Sequence, residues 1–130
     1  MKKEIILIAV LLVFLSGCLE EHKYSEPISP LYTHENFKKA VSYNDASFAW
    51  DCFSSKFKER EFGNSFELFK GQLAGNDPKL QGILAGEYVS EIIVKQNVEM
   101  ILRMSNGDIR FVKENKEWKI DSILLPMQDN

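Results

Sequence analysis

Two cysteines and one aspartate are the side chains best placed for covalent or proton-transfer chemistry. Cys18 follows Leu15, Ser16 and Gly17, so its thiol stands directly after two small residues that a narrow processing cleft would admit. Its sulfur is a nucleophile able to form a thioether to a diacylglycerol. Cys52 lies among Phe48, Trp50 and Phe53, company that suits a small buried hydrophobe. A reactive thiol there would need an adjacent base or an electropositive site, and the two histidines, His22 and His34, stand upstream of the aromatic stretch. Asp51 is the acid/base candidate: a carboxylate sealed among apolar walls would hold its proton to higher pH and suit proton transfer. Its neighbours Trp50 and Cys52 occupy the apolar arc, however, and charged side chains are seldom buried, which favours an outward-facing Asp51. Two histidines and one free cysteine do not make a tetrahedral metal site, and Gly82 and Gly86 lack the glycine series of a dinucleotide-binding turn. No metal or cofactor is expected.

The thiol at Cys18 closes a recognisable leader. Lys2 and Lys3 precede eleven consecutive apolar residues, Ile5 to Leu15, against the roughly 20 that an ordinary membrane-spanning helix needs. A positive start, a short apolar run and small residues before a cysteine are the marks of a targeting segment. Leu15-Ser16-Gly17-Cys18 resembles the lipobox of secreted prolipoproteins. That resemblance implies removal of residues 1–17, lipid attachment at Cys18 and a membrane-anchored, extracytoplasmic protein, since two acyl chains hold durably where one binds marginally. Leu19 is not the aspartate associated with inner-membrane retention. By resemblance it permits outer-membrane sorting in two-membrane cells, or the outer face of the only membrane elsewhere. A plain secretory signal or a short uncleaved anchor are the alternatives.

With Cys18 as first residue, 113 residues remain, carrying 14 basic and 18 acidic side chains for a net charge of −4. No basic patch is visible for phosphate contacts, so nucleic acid is not an expected partner. The length suits one domain, and 45% apolar with 12% aromatic residues across the chain is ample for a core. An alkylated Cys18 leaves Cys52 without a disulfide partner. Residues 18–30, with two prolines and no apolar period, read as a flexible tether, and residues 31–130 as the domain.

The elements that must position these groups fall in two halves. Thr33 is read as the cap of a helix through about Ser42, and Ala46 to about Arg60 as one long helix bearing Phe48, Ala49, Cys52, Phe53 and Phe57. Asn64 with Glu67 suggests a capping box for a helix with Phe66, Leu68, Phe69 and Leu73, and Pro78 opens a short helix to about Leu84. After Gly86 the period becomes two. Tyr88, Ser90, Ile92 and Val94, then Val98, Met100, Leu102 and Met104, then Ile109 and Phe111, and finally Trp118, Ile120 and Leu124 are read as one buried sheet face. Asn106-Gly107 favours a tight hairpin. Helices followed by a four-stranded antiparallel meander predict an α+β domain with the helices on one sheet face.

At this order of elements the chain, over roughly residues 33–125, resembles a small nuclear-transport-factor-2-like, or cystatin-like, cone domain. The run Phe111 to Asp121, with a charged turn before Trp118-Lys119-Ile120, is similar to the late hairpin of secreted members of that superfamily. Tyr43-Asn44-Asp45 ahead of an aromatic helix is similar to their first helix junction. The resemblance implies a curved sheet and, as in the ketosteroid isomerase-like members, a pocket between helices and sheet. Tyr43, Trp50, Asp51, Phe53, Phe57, Tyr88, Met100 and Trp118 would line it, with the tyrosines as hydrogen-bond donors or as core-edge anchors. The phenylalanines either line such a cavity or, as close packing favours, fill it. Fold resemblance carries architecture well and function poorly.

The other sheet face is read as carrying Val89, Ile93, Ile101, Val112 and Ile123 between charged residues. Either it packs against a second copy or an envelope protein, or β-branched residues simply favour strands. Two functional classes follow. The preferred one is a non-catalytic, surface-tethered binding or interaction module. The other is a small-molecule binder or acid/base enzyme using the cone.

Overall fold

The computed structural model describes residues 23–124; the leader, Cys18 and the start of the tether lie outside them. Five helices come first: α1 (Pro30–Ser42), α2 (Ala46–Asp51), α3 (Ser55–Phe62), α4 (Phe66–Ala74) and α5 (Pro78–Ala85). Strands β1 (Tyr88–Lys95), β2 (Glu99–Met104), β3 (Gly107–Glu114) and β4 (Glu117–Leu124) follow. They pair antiparallel in sequence order, as an open meander. The helices pack on one face, against β4, β3 and the end of β2, so the α+β class read from the periodicities is the class of the fold.

Each helix begins on a short polar side chain that satisfies an orphan backbone N–H. Ser29 accepts from Tyr32 N, Asp45 from Phe48 N, Ser54 from Phe57 N, Ser65 from Leu68 N, and Asp77 from Lys79 N and Leu80 N. Two starts differ from the expected ones. Ser29 and Pro30 open α1 four residues early, which frees Thr33 Oγ1 to donate to Trp118 O at 2.7 Å. Asn64 is not the cap of α4 but takes φ 61° beside Gly63 at φ 57°, and Ser65 caps instead.

The long helix expected over residues 46–60 is two helices. Cys52–Ser54 leave helical conformation and join the edge of β4: Ser54 N donates to Ile120 O and Ile120 N to Cys52 O, both at 2.8 Å. The periodicity there is genuine, but two backbone hydrogen bonds to a sheet edge and a second cap at Ser54 outweigh three more helical residues. The break turns Phe53 into the centre of the core. Its ring lies 4.6 Å from Phe57, 5.3 Å from both Phe37 and Phe69, and 5.8 Å from Phe62. Phe111, Ile120, Leu102 and Ile109 close the cluster from the sheet. His34, buried in α1, holds α5 through Nε2 at 2.8 Å from Ile83 O. Burial is the main reason its imidazole protonates less readily than usual.

The sheet's faces differ from the simple alternation at both edges, because a one-residue irregularity exchanges the two sides of a strand. β1 shifts register between Tyr88 and Ser90 and again between Ile93 and Lys95. Ile93 therefore stands opposite Met100, on the helix side, while Ile92 stands opposite Ile101 on the outer side. β4 shifts between its partners Arg110 and Phe111, so Ile123 opposite Ile109 faces the core and Leu124 faces out, 48% exposed. Of the five residues assigned to the outer face, Ile101 and Val112 stay there. Val89 sits at the first shift, and Ile93 and Ile123 belong to the helix side. β1 is also an open edge that the helices do not reach: Val89 and Ile93 are 62% and 60% exposed. The hairpin turns exchange roles as well. Ser105-Asn106 form the β2–β3 loop between paired Met104 and Gly107, whereas Asn115 and Lys116, at φ 49° and 67°, make the β3–β4 turn.

Phe53→Ala is expected to destabilise the domain by about 3–5 kcal/mol, the cost of emptying a closely packed aromatic site. Chemical denaturation monitored by circular dichroism measures it, and a loss below about 1 kcal/mol would contradict the central placement of this ring.

Candidate functional site

The largest cleft described, about 660 Å³, lies where the N-terminal segment crosses the α1–α2 helices and the start of β4. One wall is the segment Tyr24–Pro27, an extended strap held by the domain. Tyr24 stacks on Phe48 with ring centroids 3.5 Å apart, and its hydroxyl donates to Asp45 Oδ2 at 2.8 Å. Burial, and then the Asp45 carboxylate, hold that phenol protonated well above its usual range. Ser25 N donates to Asn36 Oδ1 at 2.9 Å, and Asn36 Nδ2 returns a bond to Ser25 O at 2.6 Å. Trp118 N donates to Pro27 O at 3.1 Å. The buried Asn36 amide thus serves the strap as a neighbouring strand would, pairing both backbone groups of one residue. The part of the expected tether from Tyr24 to Ser29 is therefore docked.

The floor is Phe53, Trp118 and Cys52, and the rim is charged. Most of the charged rim groups already have a structural partner. Lys119 Nζ donates to Asp51 O at 2.5 Å and pairs with Glu117 at 3.1 Å. Lys58 lies 5.1 Å above the Trp50 ring and 4.0 Å from Asp51 Oδ1. Glu114 accepts from Ser55 N at 2.9 Å and Ser55 Oγ at 3.2 Å, which places its carboxylate on the first turn of α3 where the helix dipole favours it. Ser54 Oγ donates to Asp121 at 2.7 Å. The Cys52 thiol points to Phe48 O at 3.5 Å, and burial pushes it up to about 12.

A thiol that far above neutral pH supplies no thiolate. Asp51 faces water, its side chain 70% exposed, so the sealed carboxylate that acid/base catalysis would need is not built at this position. Among the described residues there is no group of three or more His, Cys, Asp or Glu that could hold a metal ion.

Of the eight residues expected to share a pocket, Asp51, Phe53 and Trp118 line this cleft. Trp50 instead faces Phe62, Phe66 and Phe69. Phe57 borders a depression of about 370 Å³ with Glu61 and Leu80, bridged by a 2.7 Å Lys79–Glu61 pair. Tyr43 sits 6.0 Å from Tyr24, Tyr88 is exposed on β1, and Met100 lies in a separate groove of about 220 Å³ beside Ile28 and Ile93. The space between helices and sheet is filled by phenylalanine rings, six of them 0–2% exposed. Sequence reasoning missed Tyr24, Asn36 and Phe48 as the strap's seat. The only signal was an aromatic residue in an otherwise polar segment, since extended docking leaves no period.

No family model, curated protein or solved structure matches the chain.

Cys52 in the native protein is expected to resist iodoacetamide at pH 8, and to react fully once the domain is unfolded in guanidinium, as mass spectrometry of the alkylated chain would register. Rapid native labelling would contradict the burial that raises its pKa.

Proposed function

We propose that this chain is a lipid-anchored, extracytoplasmic interaction module rather than an enzyme. The observation that carries the reading is the docked strap. A lipobox-like Cys18 stands five residues before Lys23, and the chain is seated on the domain from Tyr24 onward. Lipidation at Cys18 would hold a folded recognition surface close to a membrane. The engagement of Cys52, Lys58, Glu114, Glu117 and Lys119 in structural contacts supports binding over catalysis. The open β1 edge, with Val89, Ile92, Ile93 and Val94 exposed, supports a protein partner in the envelope or a second copy. The resemblance to nuclear-transport-factor-2-like domains adds an architecture to this reading and no activity. A second reading, a carrier of a small molecule in the cleft, is favoured by the aromatic floor at Phe53 and Trp118 and the cleft's volume.

Cys18→Ser is expected to move the protein from the membrane fraction to the soluble extracytoplasmic fraction without changing its thermal unfolding. Membrane retention of the variant would overturn the anchor. Native mass spectrometry of the delipidated domain separates the two readings: a bound small molecule lost on Trp118→Ala would favour the carrier.

A further inference from the structure

The strap does more than leave a wall on the cleft: it determines where the chain leaves the domain. Lys23 is the first described residue, and Tyr24 is fixed at the α1–α2 junction by Phe48, Asp45 and Tyr43. The six steps of chain from Cys18 to Tyr24 reach at most about 22 Å even when fully extended. Were the strap free, the leash from Cys18 would instead run to Ser29 and reach about 40 Å. The junction end of the domain is thus confined near the point of lipid attachment. The opposite end, where Ile28 and Pro30 meet the β1–β2 turn at Gln96 and Asn97, stands one helix away, about 20 Å along the thirteen residues of α1.

Lys23, Lys38 and Lys39 lie at the strap's start and in the last turns of α1, and none of them joins an ion pair among the described residues. The far end, at the β1–β2 turn, carries a mixed set, with exposed Lys95 and Lys113 beside exposed Glu91. Lysines near a surface gain from anionic headgroups, whereas carboxylates are repelled.

We infer that the α1–α2 end, with Lys23, Lys38, Lys39 and the exposed ring of Tyr43, is a surface that faces lipid headgroups, and that the docked strap holds it there. The inference rests on the proposed lipid anchor at Cys18. It leaves the far end, at the β1–β2 turn, pointing away from the bilayer and free for a partner. The occupant of the α1–α2 surface is the membrane itself, selected by leash length and held by the unpaired lysines rather than by an apolar insertion.

The test uses the full protein extracted with its lipid and reconstituted into phosphatidylcholine vesicles containing phosphatidylglycerol and a headgroup-linked acceptor dye. Donors are placed on Ser47→Cys, at the junction end, or on Gln96→Cys, at the far end; the buried Cys52 does not compete for label. Energy transfer is expected to be stronger from Ser47→Cys than from Gln96→Cys. The difference is expected to be lost when six Gly/Ser residues are inserted between Glu21 and His22, which leaves the strap seated, and to shrink in Lys38→Glu/Lys39→Glu. Equal transfer from both sites in co-floating protein, or stronger transfer from Gln96→Cys, overturns the membrane-facing surface and leaves the anchor standing. Protein that fails to float with the vesicles overturns the anchor reading and this one with it.

Discussion

The domain depends on one backbone exchange: Cys52–Ser54 abandons helical geometry to bond the free edge of β4 at Ile120. That exchange covers an edge strand that would otherwise present unpaired groups. It also swings Phe53 inward to contact rings from α1, α3 and α4, while Ser54 caps α3 and holds Asp121. Helix layer and sheet are joined at three consecutive residues. The interior that the cone-like resemblance leaves open for a ligand is occupied by the side chains that this joint gathers.

The same edge of β4 receives the strap, since Trp118 N bonds Pro27 O one turn of chain away from the Ile120 contacts. β4 is therefore covered at Trp118 and Ile120, whereas β1 is an open edge. Register shifts in β1 and the inward-side charge of Glu91 limit how another strand could align with it. The asymmetry gives the molecule one end committed to its own N-terminal segment and one side available to others. Asp45 links the two functions of the committed end, with one carboxylate oxygen capping α2 and the other taking the Tyr24 hydroxyl.

Much of this was legible in the residues. The change from a 3.6 to a 2.0 period at Gly86 gave the fold class, and Pro78 and Asn44-Asp45 marked real helix boundaries. What stayed hidden were features set by backbone exchange between distant segments. Phe48, Ala49, Cys52, Phe53 and Phe57 satisfy helical spacing whether or not the helix breaks at Cys52, because each remains on the buried side. The outer-face assignment of Ile93 and Ile123 failed through single-residue shifts in β1 and β4, which change the parity of every later position while leaving the hydrophobic pattern intact. The strap was illegible for a further reason: Asn36 reads as an ordinary polar residue of a helix until Ser25 lies beside it.

Cys18 stands ahead of a domain whose chain is seated from Tyr24 onward, and the proposed anchor depends on its sulfur carrying lipid. The most direct measurement is the intact mass of the protein extracted from membranes of the organism that makes it. The account predicts a chain beginning at Cys18 with a diacylglyceryl adduct on that residue. A mass equal to the unmodified chain, with or without residues 1–17, would contradict it.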